Sequence, residues 1–130
     1  MNTEEVKAFY CRYIDCLNRH QLDELDQFVN QTLTYNNNVI SLYDYQGMLA
    51  QNFRDIPDLY FAIDFLLAAE NHVASRLLFN CKPVGAFMGI AIFGKNVIFT
   101  EHVFYELHNG KISKVWSLID KDAIREQVSK

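Results

Sequence analysis

The chain has 130 residues and a mass of 15.2 kDa, the size of a single domain, and we expect residues 1–130 to form one. Half of the residues are hydrophobic and 22% are charged, which excludes intrinsic disorder. The net charge is −4 without a basic stripe, so nucleic acid and anionic membranes are disfavoured as partners. The apolar runs are strand-sized and the N-terminal sequence MNTEEVK is acidic, which predicts neither a membrane span nor a secretory signal. The 14% aromatic content predicts a core rich in rings, or a cavity lined by them.

The first half of the chain has the 3.6-residue periodicity of amphipathic helices. The first predicted helix spans about residues 3–18, and Asn2 with Glu5 resembles a capping box. A brief strand at residues 32–35 is followed by the turn-prone Asn36–Asn38. Apolar spacing also predicts a short second helix, marked by Leu22, Leu25, Phe28 and Val29. A third helix is marked by Tyr45, Met48, Leu49 and Phe53.

The period changes to two after Pro57, which is typical of strands with one buried face. Strands are predicted at 59–67, 73–81, 97–107 and 112–119, with a glycine-rich loop at 85–94 and an Asn-Gly hairpin turn at 109–110. The apolar face of the first of these strands is expected to carry Leu59, Phe61, Ile63, Phe65 and Leu67. Asp120 then begins a short terminal helix. Helices followed by consecutive antiparallel strands indicate an α+β fold with the helices packed on one face of a curved sheet.

Glu101 is the most informative residue for chemistry. It is the one carboxylate in an otherwise apolar row of alternate residues that runs from Val97 to Leu107. If this row faces a cavity, burial raises the pKa of Glu101 toward the range useful in general acid–base catalysis. Two structural alternatives remain open: an ion pair with Arg76, or a position at the rim that reaches water.

Two tyrosines lie on the same predicted apolar surfaces. Tyr13 lies on the stripe of the first helix and Tyr105 shares the face of Glu101, so each can pack its ring and direct its hydroxyl at a ligand or at a backbone partner. Trp116 and Asp120 are four residues apart, but Asp120 is also where the last helix needs an N-cap, and we favour that structural role.

Nothing in the sequence indicates a metal, a cofactor or a nucleophile motif. Cys11, Cys16 and Cys81 are odd in number and lack the C-x-x-C spacing, so we interpret them as free thiols in a reducing cytoplasm. The four histidines form no i, i+4 pair, and no G-x-S-x-G, P-loop or G-x-G-x-x-G is present. We therefore expect no metal and no organic cofactor.

Three runs of the sequence resemble the SnoaL-like polyketide cyclases of the nuclear transport factor 2-like superfamily, which also contains the ketosteroid isomerases. They are FYCRYIDCLNRHQLDELDQF from Phe9 to Phe28, Gly85–Gly89, and NGKISKVW from Asn109 to Trp116. The resemblance implies a cone-shaped, strongly curved, mainly antiparallel sheet wrapped around N-terminal helices, a pocket for a small hydrophobic molecule, and a homodimer through the outer face of the sheet.

The functional residues of these relatives carry over only in part. Tyr13, in the run Arg12-Tyr13-Ile14, matches an oxyanion-hole tyrosine of the isomerases, and Asn37 falls near their basic aspartate. Val103 falls where the isomerases have a second oxyanion donor and the cyclases an inward histidine. Ser117 occupies the place of the cyclase acid/base aspartate, and Glu101 that of a cyclase glutamine. The resemblance thus implies the family pocket with a different set of polar residues.

Three hypotheses follow. The first is a cofactor-free cyclase, isomerase or hydrolyase in which Glu101 and Tyr13 are catalytic. The second is a binding module that only positions a small ligand, and the third is an interaction protein that uses an outer surface with Phe104 and Trp116. For the first two, the residues expected to contact the ligand are Asn37, Tyr105, Ser117, Val103 and Leu17.

Overall fold

A single bent sheet and the helices packed against it make up the architecture of the computed structural model, which describes residues 1–130. The α-helices are α1 (Thr3–Asn18), α2 (Leu42–Asp55) and α3 (Lys121–Val128), and a 3₁₀ helix spans Leu22–Gln27. The strands are β1 (Val29–Tyr35), β2 (Asn38–Ser41), β3 (Ala62–Ala69), β4 (His72–Cys81), β5 (Ala86–Phe87), β6 (Ile90–Ala91), β7 (Val97–His108) and β8 (Lys111–Ile119).

The main sheet has the strand order β2-β1-β8-β7-β4-β3, and only the β1–β8 pair is parallel. Asn109 and Gly110 turn β7 into β8 with φ angles of 54° and 77°, the left-handed conformation that a two-residue hairpin requires. Strands β5 and β6 form a separate small hairpin inside the glycine-rich loop. The predicted α+β fold with a mainly antiparallel sheet is confirmed.

Helix α1 begins and ends close to its predicted bounds, and a local signal marks its N-terminal end. The Glu5 amide donates to Asn2 Oδ1 at 2.9 Å and the Asn2 amide donates to Glu5 Oε1 at 3.1 Å, so the capping box is present. At the last residue of the helix, Asn18 Nδ2 donates to the carbonyl of Phe61 at 3.0 Å and Asn18 Oδ1 accepts from the Phe61 amide at 2.7 Å. This pair of bonds ties the end of α1 to the segment that leads into β3.

The buried side chains form one hydrophobic cluster of 31 residues between the helices and the inner face of the sheet. Cys16 and Cys81 are buried in it and Cys11 is exposed, all three as free thiols. None of the helices is both long and apolar enough to cross a membrane.

The structure corrects two of the predicted elements and adds one strand that was not predicted. Phe65 and Leu67 lie exposed on the outer face of β3, because a bulge at Asp64 shifts the register between Ile63 and Phe65 and turns Leu66 inward instead. The second helix is a 3₁₀ helix that ends at Gln27, so Val29 begins β1. Strand β2 was not predicted, since its four residues show no usable alternation.

Candidate active site

The inner face of β7 and the helices α1 and α2 enclose a cavity of about 50 Å³, which we call the tyrosine chamber. Space of this size holds a few water molecules. The residues around it are Tyr13, Leu17, Tyr35, Tyr45, Met48, Leu49, Asn52, Phe61, Leu77, Glu101, Val103, Tyr105 and Val115.

Glu101 points into this chamber, as the alternation along β7 predicts. Its Oε2 accepts a hydrogen bond from Ser117 Oγ. Burial raises the pKa of the Glu101 carboxyl, and the Ser117 bond opposes part of that rise. The alternative of an ion pair with Arg76 is wrong, because Arg76 is exposed and its Nε lies 3.4 Å from Asp64 Oδ2.

Two phenols are paired beside the carboxylate. The Tyr13 and Tyr45 hydroxyl oxygens lie 2.6 Å apart, with both side chains buried. Only one hydrogen can lie between two hydroxyl oxygens, so the other phenol keeps its hydrogen for a further acceptor. Burial raises the pKa of Tyr13 well above its ordinary value and also raises that of Tyr45, which keeps both groups neutral donors at physiological pH.

Tyr105 completes this aromatic wall. Its ring meets Tyr13 edge to face at a centroid distance of 5.9 Å and packs against Tyr10 at 5.1 Å. Burial raises the pKa of Tyr105 well above its ordinary value, so it too stays protonated. Val103 and Leu17 supply apolar surface to the same chamber.

Ser117 acts on the chamber through Glu101 rather than as part of the lining. The Ser117 amide donates to Asn36 Oδ1 at 2.8 Å, and Asn36 Nδ2 donates back to the Ser117 carbonyl at 3.3 Å. These two bonds hold the backbone of Ser117 and thereby orient the hydroxyl that contacts the carboxylate.

Asn37 lies outside the chamber, so the structure does not bring it together with the other residues predicted to contact a ligand. It is an exposed turn residue with φ of 70°, and its Oδ1 accepts from Trp116 Nε1 at 3.2 Å on the outer side of the sheet. Asp120 caps α3 by accepting from the Ala123 amide at 3.1 Å, as predicted. Neither Trp116 nor Asp120 lines the chamber.

Three polar residues of the chamber, Tyr35, Tyr45 and Asn52, were not predicted as site residues. Asn52 could have been found, because it lies seven residues after Tyr45 and three after Leu49 on the apolar stripe of α2. It is the helical counterpart of Glu101, a polar residue within an apolar row. Tyr35 gave no such signal, since its orientation depends on the pairing of β1 with β8.

The structure brings together no group of three or more His, Cys, Asp or Glu residues that could hold a metal ion. The chamber instead offers one carboxylate with a raised pKa, neutral phenols and one amide within an apolar wall.

Comparison with known proteins points to one family. The family model for SnoaL-like polyketide cyclases matches residues 7–128. A SnoaL-like polyketide cyclase from Agrobacterium tumefaciens shares 40% identity over 98% of both chains, with a TM-score of 0.93. TsrD from Streptomyces laurentii has the same fold at 15% identity, over 98% of this chain and 97% of that one, with a TM-score of 0.86. No curated protein matches the sequence.

Proposed function

The chain belongs to the SnoaL-like polyketide cyclase family, and on that premise we propose that it catalyses cofactor-free proton transfer next to a carbonyl group of a ring-containing small molecule. The observation that carries the proposal is the Glu101 carboxylate in the tyrosine chamber, beside phenols that burial keeps protonated. A carboxylate in such a place costs folding free energy, and a catalytic base gains driving force from a raised pKa.

In the proposed reaction, Glu101 removes a proton from the carbon next to the carbonyl. The electron pair of the broken C–H bond moves toward the carbonyl oxygen and generates an enolate. The Tyr13–Tyr45 pair supplies one free O–H to that oxygen, and the Asn52 amide supplies a second donor. Return of the proton to another carbon completes an isomerisation. In a cyclisation, the enolate carbon attacks a second carbonyl carbon, the π bond of that carbonyl opens to an alkoxide, and the alkoxide takes the proton from Glu101.

Ser117 has a positioning role in this scheme. Its hydroxyl donates to Oε2 of Glu101, which leaves Oε1 to accept the substrate proton. The serine therefore holds the base in place, although a cyclase of this family is expected to have its acid/base aspartate at this position.

The test is deuterium exchange into three simple ketones, cyclohexanone, 1-indanone and 1-tetralone, followed by NMR in D₂O. We expect the wild-type chain to accelerate exchange of at least one ketone, and Glu101→Gln to lower that rate by about 10²–10⁴-fold. Glu106→Gln is the matched control, because Glu106 lies on the outer face of the same strand and contacts His72 and Lys114. Exchange at the uncatalysed rate with all three ketones, or equal rates for the wild type and Glu101→Gln, would contradict the proposal.

A second candidate function is that of a binding module, favoured by Ser117 and Val103 at positions where relatives are expected to have acid/base and oxyanion groups. In that case the same polar groups only orient a ligand. Saturable binding of one of the three ketones, together with uncatalysed exchange, would support this candidate over the enzyme.

We also propose that a second copy of the chain covers the outer face of the sheet. Large apolar side chains are exposed there, with Phe104 at 59% and Leu118 at 70%, together with Phe65 and Leu67. Two shallow depressions of about 720 and 830 Å³ meet at Leu67, Phe104 and Trp116. Monomeric proteins rarely leave so continuous an apolar patch in water.

Sedimentation velocity tests this self-association. We expect the wild type to sediment as a dimer and Phe104→Lys as a monomer, because the ammonium group would be buried without a partner. Tyr43→Lys is the control, since Tyr43 is 82% exposed on α2, away from this face. A monomeric wild type at 100 µM would contradict the proposal.

A further inference from the structure

A second cavity of about 50 Å³ lies next to the tyrosine chamber, and its chemistry differs. We call it the phenylalanine chamber. Its lining residues are Tyr35, Asn52, Ile56, Leu59, Phe61, Phe79, Phe87, Phe99, Glu101 and Ile119. Tyr35, Asn52, Phe61 and Glu101 line both chambers and so form the boundary between them.

Four packed rings form most of the second chamber. Phe61 meets Phe79 at a centroid distance of 5.4 Å, Phe79 stacks on Phe99 at 5.1 Å, and Phe99 lies 6.0 Å from Phe87. Polar side chains reach this space only at the shared boundary. Apolar cavities tend to stay dry and to accept hydrocarbon.

Neither chamber alone accommodates an organic ring. A cavity of about 150 Å³ is known to bind benzene, which is about three times the volume of either chamber. A ring-containing ligand therefore extends across the boundary and displaces side chains there, of which Tyr35 and Asn52 are only partly buried. Because Glu101 lies on that boundary, such a ligand places its middle at the carboxylate and one end in each chamber.

We propose that the phenylalanine chamber is a hydrocarbon subsite of the same ligand site. The substrate class is then an amphiphile, with an oxygen-bearing ring among the tyrosines and an alkyl or aryl substituent among the phenylalanines. This inference rests on the proposed function only for the statement that the reacting carbon lies between these two parts. Phe87, carried by the β5–β6 hairpin, is a specificity residue for the substituent, because it closes the chamber against Phe99.

The test uses unreactive probes, the para-alkylphenols 4-ethylphenol and 4-butylphenol, with binding measured by titration calorimetry. Burial of two further methylene groups is expected to tighten binding by about tenfold, since each contributes about 0.8 kcal/mol. Leu59→Phe and Ile119→Phe each add volume inside the phenylalanine chamber, and both are expected to reduce the preference for 4-butylphenol to less than twofold. Thermal melting shows which of the two variants is folded, and the folded one is used.

Val84→Phe is the matched control, because it adds the same ring at an exposed position on the loop before β5. We expect it to keep the tenfold preference. The subsite proposal is overturned if the wild type binds neither phenol or binds both with equal affinity. It is also overturned if the folded one of Leu59→Phe and Ile119→Phe keeps the wild-type preference for 4-butylphenol.

The two proposals fail separately in these experiments. Ketone exchange that depends on Glu101, without a preference for the longer phenol, removes the hydrocarbon subsite and leaves the acid–base function. A preference for the longer phenol without ketone exchange removes the acid–base function and leaves the subsite.

Discussion

Each face of the main sheet carries an exception to the usual distribution of polar and apolar residues. The inner face has a charged residue among buried apolar ones, and the outer face has large apolar residues exposed to water. On the inner face of β7, Glu101 interrupts a buried row that includes Phe99 and Val103. On the outer face, Phe104 and Leu118 are exposed where charged side chains are more usual. Each exception costs free energy in an isolated chain, and each therefore supports one of our two proposals: a ligand at the inner face and a second copy of the chain at the outer face.

The largest expected difference between the faces is in packing energy. Leu77 and Leu78 are neighbours on β4, with Leu77 1% exposed on the inner face and Leu78 37% exposed on the outer face. Leu77→Ala is expected to lower the free energy of unfolding by about 3 kcal/mol, because it leaves a cavity in the core. Leu78→Ala is expected to cost about 1 kcal/mol or less. Urea denaturation measures both, and equal losses would show that the two faces contribute alike.

A smaller effect is expected at the paired phenols of the inner face. Tyr13→Phe removes one hydroxyl and leaves that of Tyr45 buried without its partner, at a cost of about 1–2 kcal/mol. Tyr43→Phe, on the exposed surface of α2, is the control and is expected to change the stability very little. The double variant Tyr13→Phe/Tyr45→Phe is expected to lose less than the sum of the two single variants. Additive losses in urea denaturation would argue against a shared hydrogen bond.

The smallest expected effect is a gain of stability on removal of the inner carboxylate. The folded protein holds the pKa of Glu101 above the ordinary value of 4.5, so the unfolded chain releases this proton first as the pH rises. The free energy of unfolding of the wild type therefore decreases as the pH rises from the ordinary pKa to the raised pKa. The decrease is complete above the raised pKa. Glu101→Gln avoids this loss and still accepts a bond from Ser117, so it is expected to be more stable than the wild type at pH 8 and equally stable near pH 3.

Glu106 on the outer face supplies a control of opposite sign. Its hydrogen bond with His72 and the nearby Lys114 lower its pKa, so ionised Glu106 favours the folded state above the ordinary glutamate pKa. Glu106→Gln is therefore expected to reduce stability slightly near pH 6, where His72 still carries the proton that its Nε2 donates to Glu106, and not near pH 3. The same direction of change in both glutamine variants would contradict the assignment of the two faces.

Most of the elements, and the part of the site on regular elements, could be predicted from the sequence. The i, i+3, i+4 spacing placed Tyr13 and Leu17 on the buried stripe of α1, and alternation placed Glu101, Val103 and Tyr105 on one face of β7. The same argument would have identified Asn52 on α2. The position of Asn37 outside the chamber could not be predicted, because in a turn no periodicity determines where a side chain points.

The sequence by itself determined the periodic elements, the caps and hairpin turn between them, and the inward direction of Glu101, and three of its runs carried the resemblance to the family. Only the tertiary structure decided that a bulge at Asp64 turns Phe65 and Leu67 outward, and that Arg76 pairs with Asp64 rather than with Glu101. It also decided that Tyr45 reaches Tyr13 and that two chambers meet at Glu101. The physical reason is range: periodicity and capping depend on residues a few positions apart, whereas strand register and the closure of a cavity depend on contacts between segments distant in the chain.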